Sequence, residues 1–150
     1  MAFQTKIQRA RFVRSGLTTA QVQTIGETVL ASVKGRIARG VNVNDGPAKP
    51  LKPAAPGRNF GYPQLKARKG LQPFRDWVFR GLTMRSLKVL TVSENKITIG
   101  FATSEADRIA HALQAGERMF GIAPSDRKVL QQAVADALKQ SPAAKVSQVA

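Results

Sequence analysis

From Thr18 onward, apolar positions return with a helical period: Val22, Ile25, Val29, Val33 and Ile37 are spaced three or four apart, and Leu30 widens the stripe. Thr18 and Gln21 have the spacing of a capping box, and Leu17 and Val22 that of a hydrophobic staple. Gly40 offers a left-handed stop. The pattern predicts a helix over residues 17–40 with one buried face. Lys34, Arg36 and Arg39 fall in its last two turns, where the helix dipole favours cations, and read as solvated dipole complements.

The periodicity stops at Val41 and does not return before Gln72. Pro47, Pro50, Pro53, Pro56 and Pro63 argue against a long helix or a central strand, so residues 41–76 read as an extended, Pro-rich arm. A second period then begins. Leu87, Val89 and Thr91 alternate with Lys88, Leu90 and Val92; Ser93, Glu94 and Asn95 make a turn; and Ile97, Ile99 and Phe101 alternate with Lys96, Thr98 and Gly100. Period two on both sides of a turn predicts an antiparallel hairpin with one apolar face. A hairpin alone is marginal in water, so it must pack on helices or join a larger sheet, within or between subunits.

Two helices should follow the hairpin. Ser104 and Asp107 mark the start of the first, with Ala106, Ile109, Ala110 and Leu113 on its stripe and Gly116 near its end. Met119, Phe120 and Ile122 form an apolar connector, and Pro124, Ser125 and Asp126 open the second. There Leu130, Val134 and Leu138 share a face beside Val129, Ala133 and Ala137, up to Ser141 and Pro142. The expected fold class is α+β in one domain over 1–150. It comprises a basic strand-like stretch (1–16), a long helix (17–40), the arm (41–76), a hairpin with two helices (77–140) and a flexible, small-residue tail (141–150).

Charge changes this picture. The chain carries 24 basic and 9 acidic residues, net +15. Fifteen of the basic and only three of the acidic residues lie in the first 80, so the excess belongs mainly to the N-terminal half. Such an imbalance constrains association more than fold and points to an anionic partner. The arm contributes Lys49, Lys52, Arg58, Lys66, Arg68, Lys69 and Arg75, interleaved with Phe60, Tyr62 and Phe74. These residues suit contact with DNA or an acidic partner. The same arm equally suits docking on a neighbouring subunit, with Phe60, Tyr62, Trp77 and Phe79 as interface anchors.

Other classes lose support. There is no cysteine, so disulfides and thiolate metal sites are excluded, and an intracellular or assembly-encapsulated protein is expected. No run of roughly 18 apolar residues occurs to span a membrane, and no apolar run near the N-terminus suggests a signal peptide. His111 has no companion at metal-ligand spacing. Glu105, Asp107 and Glu117 lie near Arg108 and Arg118 and read as ion pairs on a solvated helix face; Asp126 reads as a first-turn complement to the helix dipole. Neither a dinucleotide fingerprint nor a Walker lysine nor a nucleophile elbow is present. No enzyme, metal or cofactor is expected.

With the elements placed in order, the C-terminal half resembles the phage virion morphogenesis family, the neck and tail-completion proteins of tailed bacteriophages. Gly81 and Ser86 keep that family's glycine-to-serine spacing before a hairpin that begins at Leu87. Ile99-Gly100 matches the step that ends the second strand, and Ile109-Ala110 with Gly116 the short helix after it. Phe120-Gly121-Ile122 and Ser125-Asp126 match the connector and the start of the last helix. The similarity covers roughly residues 75–140, with the 18–40 helix in the place of the family's leading helix. Thr83 stands where a leucine is frequent, the tyrosine before the short helix is missing, and the arm is longer than usual. The resemblance implies a non-enzymatic virion protein in a ring, commonly a hexamer, at the neck or the head-proximal end of the tail. Its partners would be neighbouring connector and tail-tube proteins and, non-specifically, packaged DNA. The alternative from charge alone is a basic nucleic-acid-binding protein without enzymatic activity.

Overall fold

The computed structural model describes residues 10–11, 16–51, 56–57, 61–72, 82–93 and 96–140. In chain order its elements are β1 (Ala10–Arg11), α1 (Thr19–Ala38), α2 (Tyr62–Arg68), α3 (Leu82–Ser86), β2 (Leu87–Ser93), β3 (Lys96–Phe101), α4 (Ser104–Gly116) and α5 (Pro124–Gln140). The fold class is α+β, as the patterning implies.

Helix α1 starts and stops where its sequence directs. Thr18 Oγ1 accepts from the Gln21 N–H at 3.2 Å and Gln21 Oε1 accepts from the Thr18 N–H at 2.9 Å, which satisfies two of the free donors at the helix start. Gly40 follows the last turn with φ at 67°, the left-handed conformation that glycine adopts without penalty. Val22, Ile25, Val29, Leu30, Val33 and Ile37 are buried.

The hairpin forms and gains a third strand, giving an antiparallel sheet in the order β1-β3-β2. β1 pairs Ala10 with Ile97 and Arg11 with Lys96. Along the hairpin Val89 pairs with Ile99 but Thr91 with Thr98, so a bulge at Leu90 shifts the phase of β2. One expectation therefore changes. Thr91 leaves the apolar face and Val92 replaces it, while Leu90 turns outward and is exposed. On the inner face α1 comes close because Gly26 has no side chain: a Cβ there would sit 3.1 Å from Ile97 and 3.3 Å from Val89.

Ser86 closes the other end of the hairpin. Its carbonyl accepts from Ala102 N at 2.8 Å, its hydroxyl from Thr103 N at 3.2 Å, and Thr103 Oγ1 in turn accepts from Ala106 N. Thr103, one residue before Ser104, is thus the N-cap of α4. Gln114 braces the connector by donating to Phe120 O and accepting from Met119 N and Phe120 N, which sets Phe120 against Phe101 with ring centroids 4.9 Å apart. The core is thus α1, the inner sheet face, α4 and Phe120.

The arm departs from the expectation of an extended segment. Residues 41–48 turn back on the core, and Tyr62–Arg68 is helical. Pro63 lies in the first turn of α2, where its missing N–H costs nothing, and Gln64 Oε1 accepts from Gly61 N at 3.0 Å. Gly70, with φ at 68°, ends the helix.

Candidate functional site

The strongest polar constellation lies where α1 ends. Arg36 shares the buried stripe of Val29 and Val33, and only 1% of it is exposed; Asp126 is wholly buried. Arg36 Nε donates to Asp126 Oδ2 at 2.9 Å, Nη1 to Val41 O and Met119 O at 3.0 and 2.9 Å, and Nη2 to Gly121 O at 2.8 Å. Asp126 also accepts from Ser32 Oγ at 2.6 Å and Ala123 N at 3.0 Å. Burying two charges is tolerable only when the remaining donors and acceptors are also satisfied, as they are here. The solvated role expected for Arg36 is therefore corrected: the residue joins α1, the turn, the connector and α5. Asp126 does occupy the first turn of α5, but its main work is this pairing.

The turn at the root of the arm is fixed to the same joint. Asn42 Oδ1 accepts from Asn44 N and Gly46 N, and Val41 bridges Pro47. Asp45, the one described non-glycine residue with positive φ (62°), reaches α5 and accepts from both the N–H and the hydroxyl of Ser125. Ala123 has no side-chain acceptor to offer the start of α5, so a distant loop supplies one. The side-chain hydrogen bond from Ser125 holds the Asp45 carboxyl below its usual 3.8, against the opposing effect of desolvation. Gly121, at φ 141°, faces Val43 so closely that a Cβ would lie 2.9 Å from it.

Glu117 is also corrected. Its side chain is 8% exposed, accepts from Asn42 Nδ2 at 3.2 Å and lies 4.0 Å from Lys49 Nζ. It belongs to the arm root and does not pair with Arg108 or Arg118 on a solvated face.

The expected contact residues separate. Lys66 is 2% exposed, so it is not on the surface expected of a DNA contact: the short helix turns it inward. Arg68 and Lys69 are exposed on or just after α2, and Lys49 is exposed near Glu117. Lys52, Arg58 and Arg75 lie outside the described residues, as do the expected anchors Phe60, Trp77 and Phe79. Tyr62 is described and is 45% exposed.

Sequence reasoning missed two features with readable signals. Arg36 is in phase with the apolar stripe, and Asn42, Asn44, Asp45 and Gly46 are turn formers in succession.

A groove of about 750 Å³ runs between α1 and α5, with Ile25, Val129, Ala133 and Ala137 among its apolar lining and Gln21, Gln132 and Asp136 among its polar lining. Helix α5 fully buries no apolar side chain; Leu130, Val134 and Leu138 are half-buried. Asp136 accepts from Gln132 at 2.9 Å, and no nucleophile with an adjacent base lines the groove. Among the described residues no three His, Cys, Asp or Glu side chains converge as metal ligands, and no helix is long and apolar enough to cross a membrane. Comparison of the chain with protein-family models, curated proteins and solved structures finds no match.

Proposed function

We propose that the protein is a structural virion component of a tailed phage. It forms a ring in the neck or at the head-proximal end of the tail and catalyses no reaction. The observation that carries this reading is an incomplete sheet. Among the described residues β2 pairs only with β3, leaving a seven-residue strand with one free edge. A neighbouring copy can add a strand there, and a head-to-tail contact that closes makes a ring. The half-covered apolar stripe of α5 and the element order, with helix, hairpin, short helix, glycine connector and final helix, support the same reading.

Its partners are further copies of itself and the connector and tail-tube proteins above and below. The test is immunolabelling of purified particles: label at the neck is expected, whereas a protein absent from particles overturns the reading. The charge of +15 favours a second reading, a free nucleic-acid-binding protein. That reading requires tight, salt-sensitive DNA binding by a monomer that does not enter particles.

A further inference from the structure

The groove between α1 and α5 has an apolar floor in which Val129, Ala133 and Ala137 of α5 are only half-buried. Its two ends differ in charge. Lys128 stands towards the start of α5 and Asp136 towards its end, where the helix dipole adds partial negative charge. Gln132 donates to Oδ1 of Asp136 at 2.9 Å, which leaves Oδ2 to receive a cation.

Helix α2 carries a surface that matches. On one side Lys66 is buried and Pro63 half-buried; on the other Tyr62, Leu65 and Lys69 follow at three and four residues and are all exposed. Tyr62 and Leu65 are two of the three large apolar side chains exposed among the described residues, at 45% and 43%; the third, Leu90, stands apart on the sheet. Measured along the helix axis, Leu65 and Lys69 lie about 4.5 and 10.5 Å beyond Tyr62, and on α5 Ala133 and Asp136 lie about 6 and 10.5 Å beyond Val129. The two sets run in register, with the apolar pair over the apolar floor and the lysine at the carboxylate.

We propose that α2 of one copy lies in the α1–α5 groove of a second copy, with Tyr62 and Leu65 on Val129 and Ala133 and Lys69 paired with Asp136. An amphipathic helix laid in an apolar groove is a general mode of recognition, anchored by residues at this spacing. Within one chain α2 contributes no residue to the groove, so the occupant comes from another copy. A phosphate backbone in the groove would be repelled by Asp136 and by the end of α5. Contact between two unlike surfaces is head-to-tail, the kind that closes a ring. The inference rests on the ring reading for its setting and gives that ring a second contact besides the edge of β2.

The test is light scattering on the full chain over a concentration series. Tyr62→Ala with Leu65→Ala should raise the concentration of half-assembly by at least about thirty-fold, the loss expected when interface anchors are removed. Lys69→Glu and Asp136→Lys each set like charges together and should each raise it by about five-fold, with the melting temperature kept because both residues are exposed. An equimolar mixture of these two variants should assemble as the wild type does, since each α2 then meets a groove of opposite charge on the other variant. Recovery in the Lys69→Glu, Asp136→Lys double variant but not in the mixture puts α2 in the groove of its own chain and overturns the proposal. Two single variants that assemble like the wild type overturn it as well and leave the ring reading standing. Assembly that follows the charge pattern but gives open chains absent from purified particles removes the ring reading alone, and a wild type at the single-chain mass at every concentration removes both.

Discussion

Helix α1 makes two kinds of contact along its length. Its first turns lie on the sheet where Gly26 meets Val89 and Ile97, among the buried Val22, Ile25 and Val29, an apolar contact set by shape. Its last turns end in the Arg36–Asp126 pair, a directional contact that draws carbonyls from Val41, Met119 and Gly121. The apolar end tolerates small adjustments because burial energy has no preferred direction. The polar end does not, since any partner removed leaves another buried and unsatisfied.

The sharpest way to break this contrast is at the polar end. Arg36→Ala should destabilise the protein by about 3–5 kcal/mol in urea unfolding, because Asp126 is left as an unpaired buried charge. The double variant Arg36→Met with Asp126→Leu should be less damaged than the sum of its single variants; additive losses would show that the pair is not coupled. The apolar end is next. Gly26→Leu drives a side chain into Val89 and Ile97 and should cost about 1–3 kcal/mol even though leucine favours helix more than glycine does.

These two ends differ in legibility for the same reason they differ in energetics. The apolar stripe repeats within one segment, so α1 and its capping box could be read from residues 17–40 alone. The hairpin was legible too, except at Leu90, because a bulge shifts the strand's period without leaving a mark in composition. Arg36 needs three separate segments to be satisfied, and its partners lie as far away as Asp126. A lone arginine at a helix end therefore looks like ordinary surface charge. The arm departs from its extended reading at Tyr62–Arg68: its prolines argue against a long helix, but a short one forms because Pro63 sits in the first turn, where a proline is compatible with helix. Lys66 reads as one more exposed cation because nothing around it in sequence signals a buried position, yet it is buried.

Smaller effects sharpen the contrast at the two helix starts. Thr18→Ala removes a local cap from α1 and should cost about 1 kcal/mol in thermal or urea unfolding. Asp45→Ala removes the distant cap from α5, and its effect should depend on pH. The folded-state pKa of Asp45 is depressed, so its contribution is fully present above the unfolded value and is lost as pH falls through the folded one. The stability gap between wild type and Asp45→Ala should therefore be constant near neutrality and narrow below about pH 4. A gap that does not change on acidification would show that the Ser125 hydrogen bonds do not depend on the Asp45 charge.

The proposed ring depends on the edge of β2, which pairs only with β3 among the described residues. Light scattering on the wild-type chain, repeated with Thr91→Pro on the edge strand, tests it most directly. A ring closed through this edge gives a wild-type mass near six times the 16.2 kDa of one chain and a shift towards the single-chain mass in the variant. A wild type that stays at the single-chain mass at every concentration would contradict it.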